Sequence, residues 1–192
     1  AATRHIRDEF SVSMEKLATL GAIGEYQRPF LADTDHKKVS LYCGITFCDT
    51  RCVYCSFPYG LYQDYTDKSQ FLVALGRDIE DMKTIIQSYG LMVDTLYMGG
   101  GTPTVLGEED FHQVLKQLSI LVPEGHEFTV EAGRPDSVNP RKIRSMLDFG
   151  VNRISINPQT MQDDILRRIG RGHSAQDIDE LLQYVKVNTP FA

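Results

Sequence analysis

From residue 39 onward, the chain alternates between short runs rich in β-branched and aromatic residues and longer runs whose apolar residues recur every three or four positions. The short runs predict strands over Val39–Ile45, Val93–Met98, Glu127–Gly133 and Val151–Asn157. Strands that alternate with helices are typical of right-handed βαβ crossovers and a parallel sheet. The pattern therefore predicts an α/β fold of about four βα units.

The longer runs predict helices between these strands. One helix is predicted over Asp67–Tyr89. Its apolar face consists of Leu72, Leu75, Ile79, Met82, Ile86 and Tyr89. A second helix follows Gly107, with acidic residues at the positive end of its dipole. A third has Asn139 as its N-cap, Pro140 in its first turn and Gly150 after its last apolar residues.

Two further helix starts are indicated near the end of the chain. Thr160 and Ser174 each have a side chain that can cap a helix, with Asp163 and Asp177 three positions later. This spacing resembles a capping box in which aspartate replaces the usual glutamate. His173, which precedes the second cap, is interpreted as a surface residue.

Residues 1–38 follow a different pattern from the rest of the chain. One helix is predicted there by three apolar residues at helical spacing: Phe10, Met14 and Leu17. Pro29 and the polar residues after it predict a linker. We therefore divide the chain into a helical lead-in with a linker at 1–38 and an α/β core at 39–192.

The composition excludes several classes of protein. The chain has 192 residues, of which 42% are hydrophobic and 24% are charged, as in ordinary globular domains rather than disordered or collagen-like chains. A net charge of −6, without a basic run, argues against nucleic-acid binding. No apolar run reaches the ~20 residues of a membrane span, and no signal-peptide pattern is present, so a cytoplasmic location is expected.

Three of the four cysteines lie within eight residues, directly after the first predicted strand. Cys48, Cys52 and Cys55 form a Cys-x3-Cys-x2-Cys array in a loop at the carboxyl end of a strand, where parallel sheets assemble their sites. A structural zinc normally needs four protein ligands. An iron–sulfur cubane held by three thiolates leaves one iron open for reaction. Cys43 instead shares the apolar face of its strand and is expected in the core.

Other polar and glycine residues follow the neighbouring strands. The second strand ends in Gly-Gly-Gly-Thr-Pro-Thr at 99–104, and such a run suits close approach of a ligand to the backbone. Strand alternation places Glu131 on the inward face of the third strand, and Gln159 lies just past the fourth. A nucleoside with ribose hydroxyls would satisfy such groups, and an internal salt bridge between Glu131 and Arg153 is the alternative.

These motifs together resemble the radical S-adenosylmethionine (radical SAM) enzymes. The cysteine array carries an aromatic residue before its third cysteine, as that superfamily does. The Gly-Gly-Gly-Thr-Pro-Thr run resembles the oxygen-independent coproporphyrinogen III oxidase family. The runs at 131–136 and 153–161 resemble its branch of second-type coproporphyrinogen dehydrogenases. The resemblance implies a partial (β/α)6 barrel, truncated before completion, with a short helical lead-in.

The resemblance also implies site residues and cofactors. The cofactors are a [4Fe-4S] cluster and S-adenosyl-L-methionine (SAM). The implied cluster ligands are Cys48, Cys52 and Cys55. The implied SAM-binding residues are Tyr42, Tyr54, Gly100, Gly101, Thr102, Glu131, Gln159 and Arg171. No catalytic residue is expected beyond the cluster itself.

The implied reaction is anaerobic oxidative decarboxylation of coproporphyrinogen III to protoporphyrinogen IX in haem biosynthesis. In such enzymes an electron donor reduces the cluster, SAM yields a 5′-deoxyadenosyl radical, and the radical abstracts hydrogen from a propionate side chain. The family's substrate-binding remainder is expected beyond residue 192, so the chain alone is expected to be inactive. Phe57 stands where well-understood oxidases of the family carry a fourth cysteine.

Three alternatives remain open. Phe57 is the pattern of relatives that resemble haem chaperones, which would bind haem instead of oxidising a porphyrinogen. Another radical SAM reaction, such as methyl transfer, would use the same cofactors. A non-enzymatic zinc or electron-transfer module would not need the glycine, glutamate and glutamine residues.

Overall fold

The computed structural model describes residues 2–32, 35–57 and 60–191. The chain forms two compact units, residues 1–38 and 39–192. The strands are β1 (Lys38–Ile45), β2 (Phe47–Cys48), β3 (Gly60–Leu61), β4 (Met92–Gly100), β5 (Glu127–Glu131) and β6 (Arg153–Ser155). The helices are α1 (Ala2–Phe10), α2 (Met14–Ala32), α3 (Lys68–Tyr89), α4 (Glu108–Ser119), α5 (Pro140–Asp148), α6 (Asp163–Arg168) and α7 (Ala175–Asn188). Short 3-10 turns occupy Pro103–Val105 and Pro135–Ser137.

The first unit contains α1 and α2, so the prediction of one helix through Phe10, Met14 and Leu17 is wrong. Ser11 has a φ of 50°, a left-handed conformation that ends α1. The Ser13 hydroxyl accepts a hydrogen bond from the backbone N–H of Lys16 at 3.3 Å and caps the start of α2. Hydrophobic spacing carries no information about such a break.

Pro29 lies inside α2, although the sequence predicts a linker there. The helix continues three residues beyond it, to Ala32. Proline lacks the N–H that would bond to the carbonyl four residues earlier, and in this position the helix loses that bond close to its end. The predicted linker falls partly outside the described residues, because 33 and 34 are not described, and Lys38 already belongs to β1.

The main sheet has the order β1-β4-β5-β6, which confirms the predicted α/β fold with a parallel sheet. Tyr97 in β4 is paired with Thr129 in β5, and Glu131 in β5 with Ser155 in β6, both in parallel register. All four predicted strands are present, and the last two are shorter than predicted. A separate parallel pair, β2 with β3, was not predicted.

Helices α3, α4 and α5 follow the first three strands of the main sheet, as predicted. Gly90 ends α3 in a left-handed conformation with φ 58°. The Asn139 side chain caps α5 by accepting a hydrogen bond from the N–H of Lys142 at 3.0 Å. Gly150, with φ 78°, follows the end of that helix.

Strand alternation describes the core correctly. Cys43 and Ile45 in β1 are buried in the same cluster as Phe128 and Val130 in β5. Burial raises the pKa of the Cys43 thiol to about 12, which keeps it neutral. The prediction that Cys43 fills the core is confirmed.

The last two helices differ in how they begin. Ser174 caps α7 through a capping box with Asp177, as predicted. The prediction for Thr160 is wrong, because α6 begins at Asp163 with Gln162 as its N-cap. None of the described helices is long and apolar enough to cross a membrane.

Candidate active site

The cysteine array begins in β2 and continues into the loop after it. Cys48 and Cys52 are each 7% exposed, and Cys55 is half-buried. Burial raises the pKa of the Cys48 thiol, and the hydroxyl of Thr102 donates a 3.3 Å hydrogen bond to its Sγ. Leu61 in β3 pairs with Cys48, which fixes the start of the loop.

The glycine run at the end of β4 lies directly against the strands that lead into this loop. The N–H of Gly101 donates to the carbonyl of Ile45 and that of Thr102 to the carbonyl of Phe47, both at 2.7 Å. Gly100 has a φ of 111°, and a Cβ there would lie 2.7 Å from the oxygen of Ile45. A Cβ on Gly101 would collide with the carbonyl of Phe47 and lie 3.1 Å from the Sγ of Cys48. Only glycine permits this approach.

The turn between α6 and α7 contacts the cysteine loop from another side. The N–H of Val53 donates to the carbonyl of Ile169 at 3.1 Å, and the hydroxyl of Thr50 donates to the carbonyl of Gly170 at 2.9 Å. Gly170 has a φ of 82°, and a Cβ there would lie 2.8 Å from the carbonyl oxygen of Arg51. The loop is therefore held by backbone contacts from two distant parts of the chain.

Arg171 connects the cysteine loop with the end of β5. Its Nη1 donates to the carbonyl of Gly133 at 3.1 Å, and its Nη2 lies 3.5 Å from the hydroxyl of Tyr54. Its Nε is buried and has no hydrogen-bond partner within the part of the chain that the structure describes. A buried N–H without an acceptor is costly, so this atom fits a ligand oxygen.

Glu131 lies on the inward face of β5, as strand alternation predicts. Its Oε1 accepts a 2.8 Å hydrogen bond from the hydroxyl of Tyr97. The ring of Tyr97 is stacked on Tyr42, with centroids 6.0 Å apart and planes at 12°. Burial and the neighbouring Glu131 raise the pKa of Tyr97 to about 12. A Cβ on Gly99 would lie 3.0 Å from the carboxyl carbon of Glu131, so the glycine run also borders this carboxylate.

The alternative for Glu131, a salt bridge with Arg153, is not formed. Arg153 instead pairs with Glu127 at 3.1 Å, because both side chains lie nearer the start of their strands. Gln159 follows β6 with an exposed side chain and a φ of 65°. Among the described residues, no hydrogen bond joins its side chain to the other predicted site residues.

His173 is buried at 4% exposure, so its interpretation as a surface residue is wrong. Its Nδ1 lies 3.8 Å from a carboxylate oxygen of Asp136, and burial lowers the pKa of its imidazole. Neither ring nitrogen has a hydrogen-bond partner within the described segments. The turn that carries Arg171 inward also carries His173 into the protein.

Two site residues, Arg134 and Tyr97, were not predicted from the sequence. Arg134 lies directly after β5 and donates to the Sγ of Cys52 at 3.2 Å. Tyr97 and Gly99 both border Glu131. Strand alternation could have identified Tyr97, which shares a face of β4 with Gly99. The motif at 131–136 contains Arg134, but periodicity does not indicate its direction.

The donor groups of the site fit the cofactors that the sequence motifs imply. In the described segments, no group of three or more His, Cys, Asp or Glu side chains is arranged to hold a metal ion. A single zinc would require sulfurs about 3.8 Å apart, whereas a cubane spreads its ligands over several irons. Three thiols on one anchored loop, the half-buried Gly101 packed against it and the unpartnered Nε of Arg171 fit a cluster with a polar organic ligand beside it.

Comparison with known proteins identifies the same family. Residues 42–189 match the model of the radical SAM superfamily. The chain is 31% identical over 185 residues to the oxygen-independent coproporphyrinogen-III oxidase-like protein HemZ of Bacillus subtilis, covering 93% of this chain and 37% of that protein. It is 36% identical over 143 residues to the heme chaperone HemW of the same organism, covering 72% of this chain and 36% of that protein.

The chain thus spans little more than a third of the length of these two relatives. The solved structure of coproporphyrinogen III oxidase HemN from Escherichia coli has the same fold, with a TM-score of 0.70 and 24% identity over 80% of this chain and 35% of that one. The radical SAM superfamily uses a [4Fe-4S] cluster and SAM, and this match supports an enzymatic function. The family match covers the cysteine loop, the glycine run and Arg171, and the chain belongs to the radical SAM superfamily.

Proposed function

We propose that Cys48, Cys52 and Cys55 hold the [4Fe-4S] cluster and that SAM binds beside it. The observation that carries this proposal is the contact between the glycine run and the cysteine loop. Thr102 donates to the Sγ of Cys48, and Gly101 lies so close that a Cβ would be 3.1 Å from that sulfur. This arrangement leaves the half-buried residues Gly100 and Gly101 beside the ligands, where a small molecule could reach both.

The remaining predicted residues match the functional groups of SAM. Glu131 offers a carboxylate that can accept hydrogen bonds from ribose hydroxyls or the ammonium group. Arg171 offers its unpartnered Nε to a carboxylate or hydroxyl oxygen. Tyr54 and Tyr42 expose 53% and 62% of their surface, and exposed rings of this kind can contact an adenine or an apolar part of the ligand. Gln159 is proposed to contribute its amide.

When bound, the cluster and SAM supply a one-electron reduction that produces a hydrogen-abstracting radical. The chain's own residues bind and orient SAM and keep the cluster loop in place. The electron donor is a separate partner. The substrate is proposed to lie at the same carboxyl edge of the sheet, where parallel α/β folds bind their ligands.

We propose coproporphyrinogen III as the substrate. A C–H bond of a propionate side chain breaks, its carboxylate leaves as CO2, and one electron passes to an acceptor, so that a vinyl group forms. Support comes from the oxidase-like protein HemZ, which matches 93% of this chain. Haem binding without porphyrinogen oxidation is the second candidate. Phe57 and the resemblance to HemW support it.

Anaerobic reconstitution of the full-length protein with iron and sulfide tests the cluster assignment. We expect an EPR signal of a reduced [4Fe-4S] cluster that changes when SAM is added. Alanine at Cys48, Cys52 or Cys55 should abolish it. Alanine at Cys43 is the matched control, because this thiol is buried in the core. Uptake of zinc in place of iron, or an intact cluster in Cys52→Ala, would overturn the assignment.

Two assays separate the substrate candidates. An oxidase should form 5′-deoxyadenosine and release CO2 when the reconstituted protein receives coproporphyrinogen III and a reductant. A chaperone should give no porphyrinogen turnover and should bind haem, as a change in the haem absorption spectrum. Turnover without haem binding supports the oxidase, and the reverse result supports the chaperone.

A further inference from the structure

Arg134 is a buried cation directed at the cysteine loop. It follows β5 and is 2% exposed. Its Nη1 donates to the hydroxyl of Thr50 at 2.6 Å, and its Nη2 donates to the carbonyl of Thr50 at 3.0 Å. The same Nη2 donates to the Sγ of Cys52 at 3.2 Å. One guanidinium thus contacts both the backbone of the loop and the sulfur of a proposed cluster ligand.

Arg134 has no carboxylate within salt-bridge distance among the ion pairs of the described residues, and Asp49 in the same loop interacts with its charge only from further away. Its hydrogen-bond partners are a hydroxyl, a carbonyl and a cysteine sulfur, and none of them is a carboxylate. A buried cation without a hydrogen-bonded countercharge is costly. Deprotonated cysteines that carry an iron–sulfur cluster would supply that countercharge at the position where the guanidinium already lies.

We propose that Arg134 is a positioning residue that holds the cysteine loop for cluster binding and raises the reduction potential of the cluster. The proposal rests on the proposed function, in which Cys52 is a cluster ligand. Hydrogen bonds and positive charge beside a cluster sulfur stabilise the reduced form, which carries one more negative charge. The cluster in this protein must accept an electron before SAM can react, so the charge of Arg134 favours that step.

Redox titration of the reconstituted full-length protein, followed by EPR, tests the effect on potential. In Arg134→Gln we expect a midpoint potential lower by about 59 mV, which corresponds to a tenfold change in a one-electron equilibrium. Arg134→Lys, which keeps the charge but not the planar fork, should shift it less. Arg141→Gln is the control, because Arg141 is exposed on α5 and pairs with Glu108. An unchanged potential in a fully loaded Arg134→Gln protein would overturn the proposal.

Amide hydrogen exchange in the cluster-free protein tests the positioning role. Arg134→Gln should speed exchange several-fold for peptides that cover 48–57 and leave peptides of β4 and β5 unchanged. The positioning role would be overturned if the loop exchanged at the same rate in Arg134→Gln and in the parent protein. It would also be overturned by a loss of protection throughout the core, since Arg134 would then stabilise the whole fold. If the parent protein itself binds no cluster, the proposed function fails; if only the variant comparison fails, the cluster assignment stands.

Discussion

The hydroxyl of Tyr97 donates a 2.8 Å hydrogen bond to the carboxylate of Glu131 and thereby joins β4 to β5 on the inward face of the sheet. The parallel register pairs Tyr97 with Thr129, which places Glu131 two residues further along the neighbouring strand. Tyr42 in β1 is stacked on the other side of this link. The direction of the Glu131 carboxylate is therefore set by the protein before a ligand binds.

Replacing Tyr97 with phenylalanine should weaken SAM binding about tenfold, because a hydrogen bond to a charged group contributes about 1.5 kcal/mol. The ring and its stacking on Tyr42 are kept. Isothermal titration of SAM into the reconstituted full-length protein measures the effect. Since the pKa of Tyr97 is raised to about 12, the phenol stays protonated at neutral and mildly alkaline pH. The loss of SAM affinity in Tyr97→Phe should therefore be constant over that range.

Tyr89→Phe is the matched control for that measurement. Tyr89 lies at the end of α3 and is 72% exposed, so its loss should not change SAM affinity. Cluster content should be equal in both variants. Equal SAM affinity in Tyr97→Phe and Tyr89→Phe would mean that the hydroxyl does not orient Glu131 for binding.

Alanine at Gly101 should greatly reduce cluster loading. The added Cβ would collide with the carbonyl of Phe47 and lie 3.1 Å from the Sγ of Cys48, and backbone cannot move aside cheaply. Iron and sulfide analysis after anaerobic reconstitution measures the effect. Gly60→Ala is the control on β3, the partner of β2, since a Cβ there meets no atom of the described residues within 4 Å. Full cluster loading in Gly101→Ala would contradict the close approach of Gly101 to Phe47 and Cys48.

Much of the core could be predicted because burial imposes a period on the sequence. The alternation of β1 places Cys43 and Ile45 together, and both are buried in the core. Local capping chemistry is equally readable at Asn139 and Ser174. The break at Ser11 could not be read in this way, because a left-handed residue leaves no hydrophobic pattern.

The site was predicted to the extent that its residues lie on strands or in recognised motifs. Alternation gives the inward direction of Glu131, and the parallel sheet brings the ends of neighbouring strands together. Arg134 and His173 lie in turns, where direction depends on contacts with distant segments. Arg134 bonds to a loop 84 residues earlier in the chain, and no local rule specifies such a contact.

Lys142 connects the glycine run to the turn after β5, and Lys142→Met should destabilise the protein. Its Nζ donates to the carbonyl of Thr104 at 2.6 Å and to that of Ser137 at 2.9 Å. Methionine fills similar space but leaves both carbonyls unpaired, at a cost of about 1–3 kcal/mol each. Thermal unfolding should show a lower midpoint than Lys186→Met, whose side chain is exposed on α7.

The pH dependence of stability in Lys142→Met and Lys186→Met gives a second measurement. Burial lowers the pKa of Lys142 below its ordinary value of 10.5, so the unfolded chain binds the proton more readily than the folded one. The contribution of Lys142 to the free energy of unfolding therefore rises with pH between its pKa in the folded protein and 10.5. Lys142→Met should lack that rise, and Lys186→Met should keep it. Identical alkaline profiles would show that Lys142 is not buried as a cation.

Ser174→Ala should loosen the start of α7, whereas Thr160→Ala should have little effect on α6. The hydroxyl of Ser174 accepts a 3.2 Å hydrogen bond from the N–H of Asp177, and loss of such a cap costs about 1 kcal/mol. Thr160 lies before the actual N-cap, Gln162. Amide exchange in the first turn of α7 should accelerate about fivefold in Ser174→Ala.

The carboxylate of Asp177 provides the acid-sensitive part of the same cap. It accepts hydrogen bonds from the N–H and the hydroxyl of Ser174, both at 2.7 Å, and the backbone bond is the main cause of its lowered pKa. A lowered folded pKa means that its stabilisation is present above the ordinary value of 3.8 and lost as pH falls through the folded value. Exchange in α7 should therefore accelerate in acid in the parent protein, after correction for intrinsic rates. Asp177→Asn should remove that acceleration, and its persistence would assign it to another group.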